Sequence, residues 1–201
     1  MDAASFQAAT GVSRETLASL SAYEALLRKW QPRINLVGPS TMSELWSRHF
    51  LDSAQLYALL PEGARVLVDL GSGAGFPGLV LAILGVPEVH LIESDSRKAA
   101  FLREAAREAG AKITVHNKRI EAVPPFPADV VSARALAPLS QLLSWAHPFL
   151  GSRGVGVFPK GQTVEEELTD STKYWTFEVE RFSSRTDPGG TILRVKGIDR
   201  V

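Results

Sequence analysis

The chain has 201 residues, of which 45% are hydrophobic, and its 22 basic and 22 acidic residues give a formal net charge of zero. This length predicts one domain with a full hydrophobic core, and no apolar run approaches the ~20 residues that span a bilayer. The charge balance does not point to nucleic acid, although a local basic patch is enough to bind it.

Two absences narrow the chemistry further. The sequence contains no cysteine, which excludes disulfides, cysteine-ligated iron–sulfur clusters and thiolate nucleophiles. Residues 1–10 lack the basic start and apolar stretch of a signal peptide. We therefore expect a soluble, cytoplasmic protein.

The predicted elements change character along the chain. Residues 11–60 read as helical, with one helix capped by Ser13 and ended by Pro32, and a second helix from about Ser43 to Leu60. From residue 64 onward, short apolar runs alternate with longer amphipathic ones, which favours a parallel sheet with helices on both faces. The predicted strands are 65–70, 88–92, 112–116, 128–132 and 154–158, and the predicted helices are 77–84, 96–109, 136–147 and 163–170. Two further runs, 174–182 and 191–195, predict a terminal antiparallel pair.

A glycine-rich turn follows the first predicted strand of the sheet. Residues 69–78 read DLGSGAGFPG, and such glycines let backbone amides and a helix N-terminus approach a ligand. Asp69 is placed to accept a hydrogen bond from an ammonium group. Phe76 occupies the position where a dinucleotide fingerprint has a glycine, so the spacing favours S-adenosylmethionine (SAM) over NAD. The alternative is a tight turn without a ligand.

The next two strands end in polar segments. Glu93 closes the strand at 88–92 and is placed to accept both ribose hydroxyls of a nucleoside, with Asp95 as a rival. In SAM enzymes the loop after the third strand passes along the adenine edge. Here the candidates for this contact are Ile120 and Glu121. A solvated loop is the alternative for both segments.

The fourth strand ends in Ser-Ala-Arg-Ala, at residues 132–135. Amino-group methylases place an Asn/Asp-Pro-Pro-aromatic tetrapeptide there. Arg134 offers a planar donor fork to a carboxylate, phosphate or base edge, and a salt bridge to a helix acid is the alternative. For a methyltransferase, the missing cysteines exclude the covalent route to carbon-5 of pyrimidines. The four histidines show no metal spacing, so we predict no metal.

The seven predicted strands, with the last two in a hairpin, are typical of class I SAM-dependent methyltransferases. We therefore predict their Rossmann-like α/β fold with a mostly parallel sheet. We expect a single domain, in which residues 1–62 form an N-terminal helical cap and residues 63–201 form the SAM-binding core.

With these segments in place, the chain resembles the bacterial 16S rRNA guanine-N7 methyltransferase family, also known as glucose-inhibited division protein B. The resemblance covers nearly the whole chain. Six motifs carry it in order: Trp30 with Ile34-Asn35-Leu36, Arg48-His49-Phe50-Leu51-Asp52-Ser53, the glycine turn through Pro77-Gly78, Arg119-Ile120-Glu121, Ser132-Ala133-Arg134-Ala135 and Lys160-Gly161.

The resemblance implies roles for individual residues. It implies that SAM is contacted by Gly71, Phe76, Ile120, Glu121 and Arg134, and that Glu93 holds the ribose. The predicted cofactor site is completed by Asp69, Ser72, Gly73 and Gly75. RNA contacts are expected from Arg48, Arg119 and Lys160, and the candidates for a catalytic role are Asp52, Arg119 and Lys160. One departure is the last hairpin turn, 188–191, which lacks the arginine usual in relatives; Arg185 and Arg194 are candidates to replace it.

The implied reaction transfers the methyl group of SAM to N7 of guanine 527 in 16S rRNA. N7 has an exposed lone pair and no proton to lose, so no general base is required and catalysis can come from positioning. The expected partner is 16S rRNA or the small ribosomal subunit. We expect no association with a membrane, and we expect the enzyme to be a monomer. Three alternatives remain: an NAD-dependent oxidoreductase, a SAM enzyme acting on a small molecule or protein, and a non-catalytic RNA-binding module.

Overall fold

The computed structural model describes residues 1–201, apart from the side chains of Ser152 and Arg153. The strands are β1 (Val66–Leu70), β2 (Glu88–Ile92), β3 (Ile113–His116), β4 (Ala128–Ser132), β5 (Leu150–Lys160), β6 (Trp175–Ser183) and β7 (Thr191–Arg200). They form one sheet in the order β3-β2-β1-β4-β5-β7-β6.

The sheet is parallel from β3 to β5, and β7 runs antiparallel to both β5 and β6. Strand β1 is buried after its first residue, as expected of a central parallel strand covered on both faces. The carboxyl ends of β1, β2 and β4 meet at one edge of the sheet, where open α/β sheets bind ligands. The predicted fold is confirmed, although β5 and β7 are longer than the sequence indicated.

Four helices pack on the core of the sheet: α4 (Gly78–Ile83), α5 (Ser96–Ala109), α6 (Leu139–Ala146) and α7 (Val164–Ser171). Asp95 caps α5 by accepting hydrogen bonds from the backbone N–H groups of Arg97 and Lys98, at 2.8 and 3.1 Å. Gly110 ends the helix in the left-handed conformation. Asp95, the rival for a ribose contact, therefore caps the helix through its Oδ1 atom.

The N-terminal residues add two helices, α1 (Ala3–Thr10) and α2 (Arg14–Trp30). Ser13 caps α2, since its hydroxyl accepts a hydrogen bond from the Thr16 N–H at 3.1 Å, as predicted. Helix α1 lies outside the helices predicted from the sequence. Its single buried residue, Phe6, tilts against the Trp46 ring at 5.2 Å, so this contact anchors a short helix to the rest of the cap.

The predicted single helix from Ser43 to Leu60 is wrong. This segment changes hydrogen-bond register three times: a 3₁₀ helix (Pro39–Glu44), a π-helix (Trp46–Leu51), the α-helical turn α3 (Asp52–Ala54) and a 3₁₀ helix (Gln55–Leu59). Tertiary contacts accompany the change. Trp46 stacks on Phe50 at 4.6 Å, and the Arg48 carbonyl accepts a hydrogen bond from Arg134. Apolar spacing alone does not distinguish these registers.

The N-terminal segment shares a hydrophobic core with one face of the sheet. Tyr23 and Phe50 lie in the same buried cluster as Leu67 of β1 and Phe101 of α5. A second cluster on the other face contains residues of α6 and α7. Within the described residues, no helix is both long and apolar enough to cross a membrane.

Candidate active site

The glycine turn between β1 and α4 requires its glycines. Gly71, Gly73 and Gly75 have φ angles of 61°, 55° and 99°, in the left-handed region that other residues rarely adopt. A Cβ atom on Gly71 would lie 2.5 Å from Leu136 Cδ1, and one on Gly75 would lie 2.8 Å from Tyr23 Oη. The Tyr23 hydroxyl of α2 donates a hydrogen bond to the Ala74 carbonyl within the turn. The helical cap therefore helps to hold the turn in place.

A cavity of about 360 Å³ opens beside this turn, and we call it the glycine-turn cavity. Six residues of the predicted cofactor site line it: Gly71, Gly73, Glu93, Ile120, Glu121 and Arg134. The other four do not. Ser72 and Phe76 are buried, Asp69 lies under the turn, and Gly75 packs against Tyr23.

Glu93 is held by backbone amides on both of its carboxylate oxygens. Oε2 accepts a hydrogen bond from Gly73 N at 2.8 Å, and Oε1 accepts one from Asp95 N at 2.7 Å. A carboxylate has about four acceptor positions, so the fixed group can still accept hydrogen bonds from a ligand. The arrangement suits a pair of ribose hydroxyls.

Asp69 is a buried acid with one unused oxygen. Its Oδ1 accepts a hydrogen bond from Ser132 Oγ at 2.7 Å, whereas Oδ2 has no hydrogen-bond partner among the described residues. Burial raises the pKa of Asp69 to about 6, against the opposing effect of the Ser132 hydroxyl. A Cβ on Gly78 would lie 2.6 Å from Asp69 Cβ, which explains the need for glycine at the start of α4.

Trp145, which no sequence motif singles out, lines the glycine-turn cavity from α6. Its indole N–H donates to Glu121 Oε1 at 2.8 Å, and this bond links α6 to the loop after β3. Trp145 resembled an ordinary core residue of an amphipathic helix, and its sequence neighbours carry no signal for the cavity. An aromatic ring in this position offers a flat apolar surface to a ligand.

Arg134 joins the end of β4 to the helical cap. Its Nη1 donates to the Arg48 carbonyl and to Asp52 Oδ2, both at 3.1 Å, and its Nη2 donates to His49 Nδ1 at 2.7 Å. The guanidinium also lies over the Phe76 ring, 5.2 Å from its centroid. Phe76 therefore supports a residue of the cavity wall without lining the cavity.

His49 is held in its neutral form by this arrangement. Because an arginine N–H can only donate, Nδ1 must accept and Nε2 carries the proton, which it donates to Thr41 Oγ1 at 2.8 Å. Burial, with the nearby positive charges of Arg134 and Arg48, lowers the pKa of His49 to about 3. A neutral imidazole at this point keeps Arg134 in place.

A second cavity of about 630 Å³ lies on the other side of Arg134, and we call it the hairpin cavity because the β6–β7 turn forms one wall. Arg134, Ala135 and Leu136 line both cavities. Ala135 has a φ of 50°, a strained value for a residue with a Cβ, of the kind that clusters at functional sites.

Asp52 and Lys160, two candidates for a catalytic role, both line the hairpin cavity. Asp52 Oδ1 accepts hydrogen bonds from Thr186 Oγ1 at 2.6 Å and from Gln55 Nε2 at 3.0 Å. Lys160 Nζ lies 2.5 Å from Glu167 Oε2 and donates to the Ala137 carbonyl at 3.1 Å. The structure thus brings together residues that are distant in sequence.

The third candidate, Arg119, is exposed and lines the glycine-turn cavity, together with Lys98 and Lys118. Arg48 is also exposed, and its carbonyl contacts Arg134. These side chains are not gathered in one cavity.

Arg185 and Arg194, the candidates to replace the arginine missing from the last hairpin turn, both form hydrogen bonds within the protein. Arg194 pairs with Glu180 through three hydrogen bonds, at 2.8, 2.9 and 3.3 Å. Arg185 Nη2 donates to the Ala9 carbonyl at 3.3 Å. Neither side chain is left as a simple replacement for an arginine in the turn. Among the described residues, no group of three or more histidine or acidic side chains could hold a metal ion.

Solved structures with a similar fold include a methylase and a protein that binds AdoMet. The ribosomal protein L11 methylase of Lactobacillus delbrueckii subsp. bulgaricus is 16% identical, with a TM-score of 0.60 and 80% of each chain covered. M. jannaschii TYW2, solved in complex with AdoMet, is also 16% identical, with a TM-score of 0.59 and coverage of 85% of this chain and 80% of that chain. At this identity the likeness establishes the fold alone.

Sequence relatives are much closer. The GidB family model, described as rRNA small subunit methyltransferase G, matches residues 16–194. Ribosomal RNA small subunit methyltransferase G of Rhodospirillum centenum is 67% identical over 98% of this chain and 91% of its own length. The Rhodospirillum rubrum protein of the same name is 62% identical over 97% of both.

These matches set aside the NAD-dependent oxidoreductase and the methyltransferase of small molecules or proteins. The chain belongs to the GidB family of rRNA small subunit methyltransferases, and S-adenosylmethionine is its cofactor.

Proposed function

We propose that the protein methylates N7 of guanine 527 in 16S rRNA, with SAM in the glycine-turn cavity and the guanine in the hairpin cavity. The observation that carries this proposal is the shared wall. Arg134, Ala135 and Leu136 line both cavities, so a methyl donor in one and a base in the other would meet at the end of β4. Class I methyltransferases present their acceptor at this strand end.

The glycine-turn cavity fits SAM in size and in polar groups. Its volume lies in the usual range for small-ligand sites. The glycines expose backbone near Glu93, whose fixed carboxylate suits the ribose, while Ile120 and Trp145 offer apolar surface to the adenine. Asp69 Oδ2, buried and without a partner among the described residues, would accept a hydrogen bond from the ammonium group through water.

SAM supplies an electrophilic methyl group, and the residues of the chain have to align an acceptor with it. No general base is required, because guanine N7 carries a lone pair and loses no proton. The hairpin cavity is lined by three carboxylates, Asp52, Glu167 and Asp187, and by two cations, Arg134 and Lys160. This excess of negative charge stabilises the positive charge that develops on the base.

Exposed cations are placed to bind the RNA backbone. Lys118 and Arg119 lie at the rim of the glycine-turn cavity, and Arg48 lies on the helical cap. Contacts between basic side chains and phosphates position an RNA without reading its sequence. Such a local patch allows binding despite the zero net charge.

The test uses small ribosomal subunits from a strain that lacks this methyltransferase. Incubation with the protein and SAM is expected to yield 7-methylguanine at position 527 of 16S rRNA, detected by mass spectrometry of nuclease fragments. Methylation at another atom or nucleotide would contradict the proposal, and RNA binding without any methyl transfer would favour the non-catalytic RNA-binding module. Calorimetry with SAM and with NAD provides the control for cofactor choice.

A further inference from the structure

Guanine and adenine differ at the group on C6, which lies beside N7 on the same edge of the base. In guanine, N7 and O6 lie side by side on one edge, and both accept hydrogen bonds; in adenine, the neighbour of N7 is the N6 amino group, which donates. When N7 faces a methyl donor, O6 is the atom of this edge left for a side chain to bind. A fixed donor near the shared wall would therefore separate the two purines.

Lys160 provides such a donor. Its side chain is 8% exposed and lines the hairpin cavity. Within the described part of the chain, its ammonium group donates one hydrogen bond, to the Ala137 carbonyl, and forms an ion pair with Glu167 Oε2 at 2.5 Å, so at least one of its three N–H donors is uncommitted. Ala137 directly follows Leu136 of the shared wall, so the ammonium group is anchored beside the point where the two cavities meet.

The surroundings of Lys160 hold it in one orientation. Glu167 Oε2 also accepts a hydrogen bond from Leu139 N at 2.7 Å, and its Oε1 accepts one from Thr163 Oγ1 at 3.1 Å. The carboxylate is therefore fixed, and the ammonium group with it. A buried ion pair is weak evidence for a gain in stability, so a functional role accounts better for a lysine buried beside a cavity.

The other cation of the hairpin cavity is less suited to the task. Arg134 uses both Nη1 hydrogens on Arg48 and Asp52 and one Nη2 hydrogen on His49. Arg134 also lines the glycine-turn cavity. Of these two cavities, Lys160 lines only the hairpin cavity.

We propose that the uncommitted N–H of Lys160 donates a hydrogen bond to O6 of the acceptor guanine and thereby selects guanine over adenine. This inference rests on the function proposed above. Glu167 balances the charge of Lys160, so the ammonium group can bind O6 while N7 becomes positively charged.

The experiment removes O6 and the lysine separately and together. Small subunits are reconstituted with 16S rRNA that carries guanine, 2-aminopurine (guanine without O6) or inosine (guanine without the 2-amino group) at the acceptor position. Single-turnover methylation is then measured for the wild type, Lys160→Met and the double variant Lys160→Met/Glu167→Gln, which leaves no unpaired carboxylate.

In the wild type, loss of O6 is expected to lower the methylation rate at subsaturating enzyme on the order of 10- to 100-fold. In both Lys160 variants the same change should cost less than about 3-fold, because the donor is already absent. Loss of the 2-amino group should have equal effects in all three proteins. Lys173→Met is the matched control, since Lys173 forms an exposed pair with Asp170, and it should behave as the wild type.

An equal loss on O6 removal in wild type and Lys160 variants would overturn the inference while leaving N7 methylation intact. Failure of the wild type to form 7-methylguanine on the guanine-containing subunit would overturn the proposed function, and this inference with it. SAM affinity and the melting temperature of each variant show that the variants are folded.

Discussion

The two cavities on either side of Arg134 are built differently. The glycine-turn cavity is built around backbone at the ends of neighbouring strands, and one of its two acids, Glu93, is held by main-chain amides. The hairpin cavity is assembled from distant parts of the chain, and its acid Asp52 is held by the side chains of Gln55, Arg134 and Thr186. Thr186 and Asp52, 134 residues apart, share a hydrogen bond there. A cavity of the first kind leaves a short sequence motif, whereas one of the second kind appears only in the folded protein.

The same difference predicts how substitutions act. Changes under or within the glycine turn should alter stability and cofactor affinity. Changes at the far wall of the hairpin cavity should alter the use of RNA while cofactor affinity stays constant. Arg134, which belongs to both, should affect both measurements.

The largest effect is expected under the glycine turn, from Asp69→Asn. A raised pKa in the folded state means that Asp69 contributes stability at low pH that is lost as the pH rises from its unfolded value of 3.8 through about 6. From pH 4 to pH 7, the free energy of unfolding of Asp69→Asn should therefore rise relative to wild type by about 2 kcal/mol. Urea titrations at each pH measure it.

Asp95 supplies the control for this experiment. Hydrogen bonds from the backbone of α5 lower its pKa, so its contribution is present above its unfolded pKa and lost as the pH falls. Asp95→Asn should thus show a pH dependence of the opposite sign. A flat difference between Asp69→Asn and wild type would show that Asp69 titrates normally in the folded protein.

Gly71→Ala should weaken SAM binding by about 20-fold, because alanine disfavours the left-handed backbone by roughly 1–2 kcal/mol and its Cβ displaces Leu136. Calorimetry measures the affinity. Gly151→Ala is the matched control, since its added Cβ meets no atom within 4 Å. Unchanged SAM affinity in Gly71→Ala would argue against SAM at this turn.

Arg134→Ala should lower SAM affinity and raise the KM for small subunits, each by about 10-fold, on the scale of one charge-assisted hydrogen bond. We expect both the loss of SAM affinity and the rise in KM, since the Arg134 side chain lines both cavities. Arg97→Ala, which removes an exposed arginine paired with Asp95 at 3.8 Å, should change neither by more than about 2-fold. An effect confined to one substrate would place Arg134 on that side alone.

Thr186→Val should have the smallest effect, raising the KM for small subunits by about 3-fold through loss of one hydrogen bond to Asp52. SAM affinity should not change, because Thr186 does not contact the glycine-turn cavity. Thr176→Val on β6, which removes a longer bond to the Asp199 carbonyl, serves as the control. A loss of SAM affinity in Thr186→Val would contradict the separation of the two cavities.

The same contrast explains which structural features could be predicted from sequence. Strand β2 and helix α5 were predicted to the residue, because apolar spacing and local caps such as Asp95 and Gly110 define them. The segment 43–60 was predicted wrongly, since its hydrogen-bond register follows contacts with residues far along the chain.

At the site, local sequence sufficed for the six predicted residues that line the glycine-turn cavity. It could not show that Phe76 would lie behind Arg134, because this depends on how Tyr23 and His49 pack against it. Nor could it place Trp145 beside Glu121. Both arrangements require the helices to have docked on the sheet.

The distance between Asp52 and Thr186 along the chain also orders events during translation. The ribosome releases a protein from its amino end, so every residue from Gly71 to Trp145 that lines the glycine-turn cavity emerges before the turn at 184–191. Until that turn arrives, the hairpin cavity is open on one side and Asp52 lacks its hydrogen bond from Thr186. On the function proposed above, a nascent chain of this enzyme carries its cofactor residues before it can hold an acceptor, and methyl transfer has to await the final hairpin.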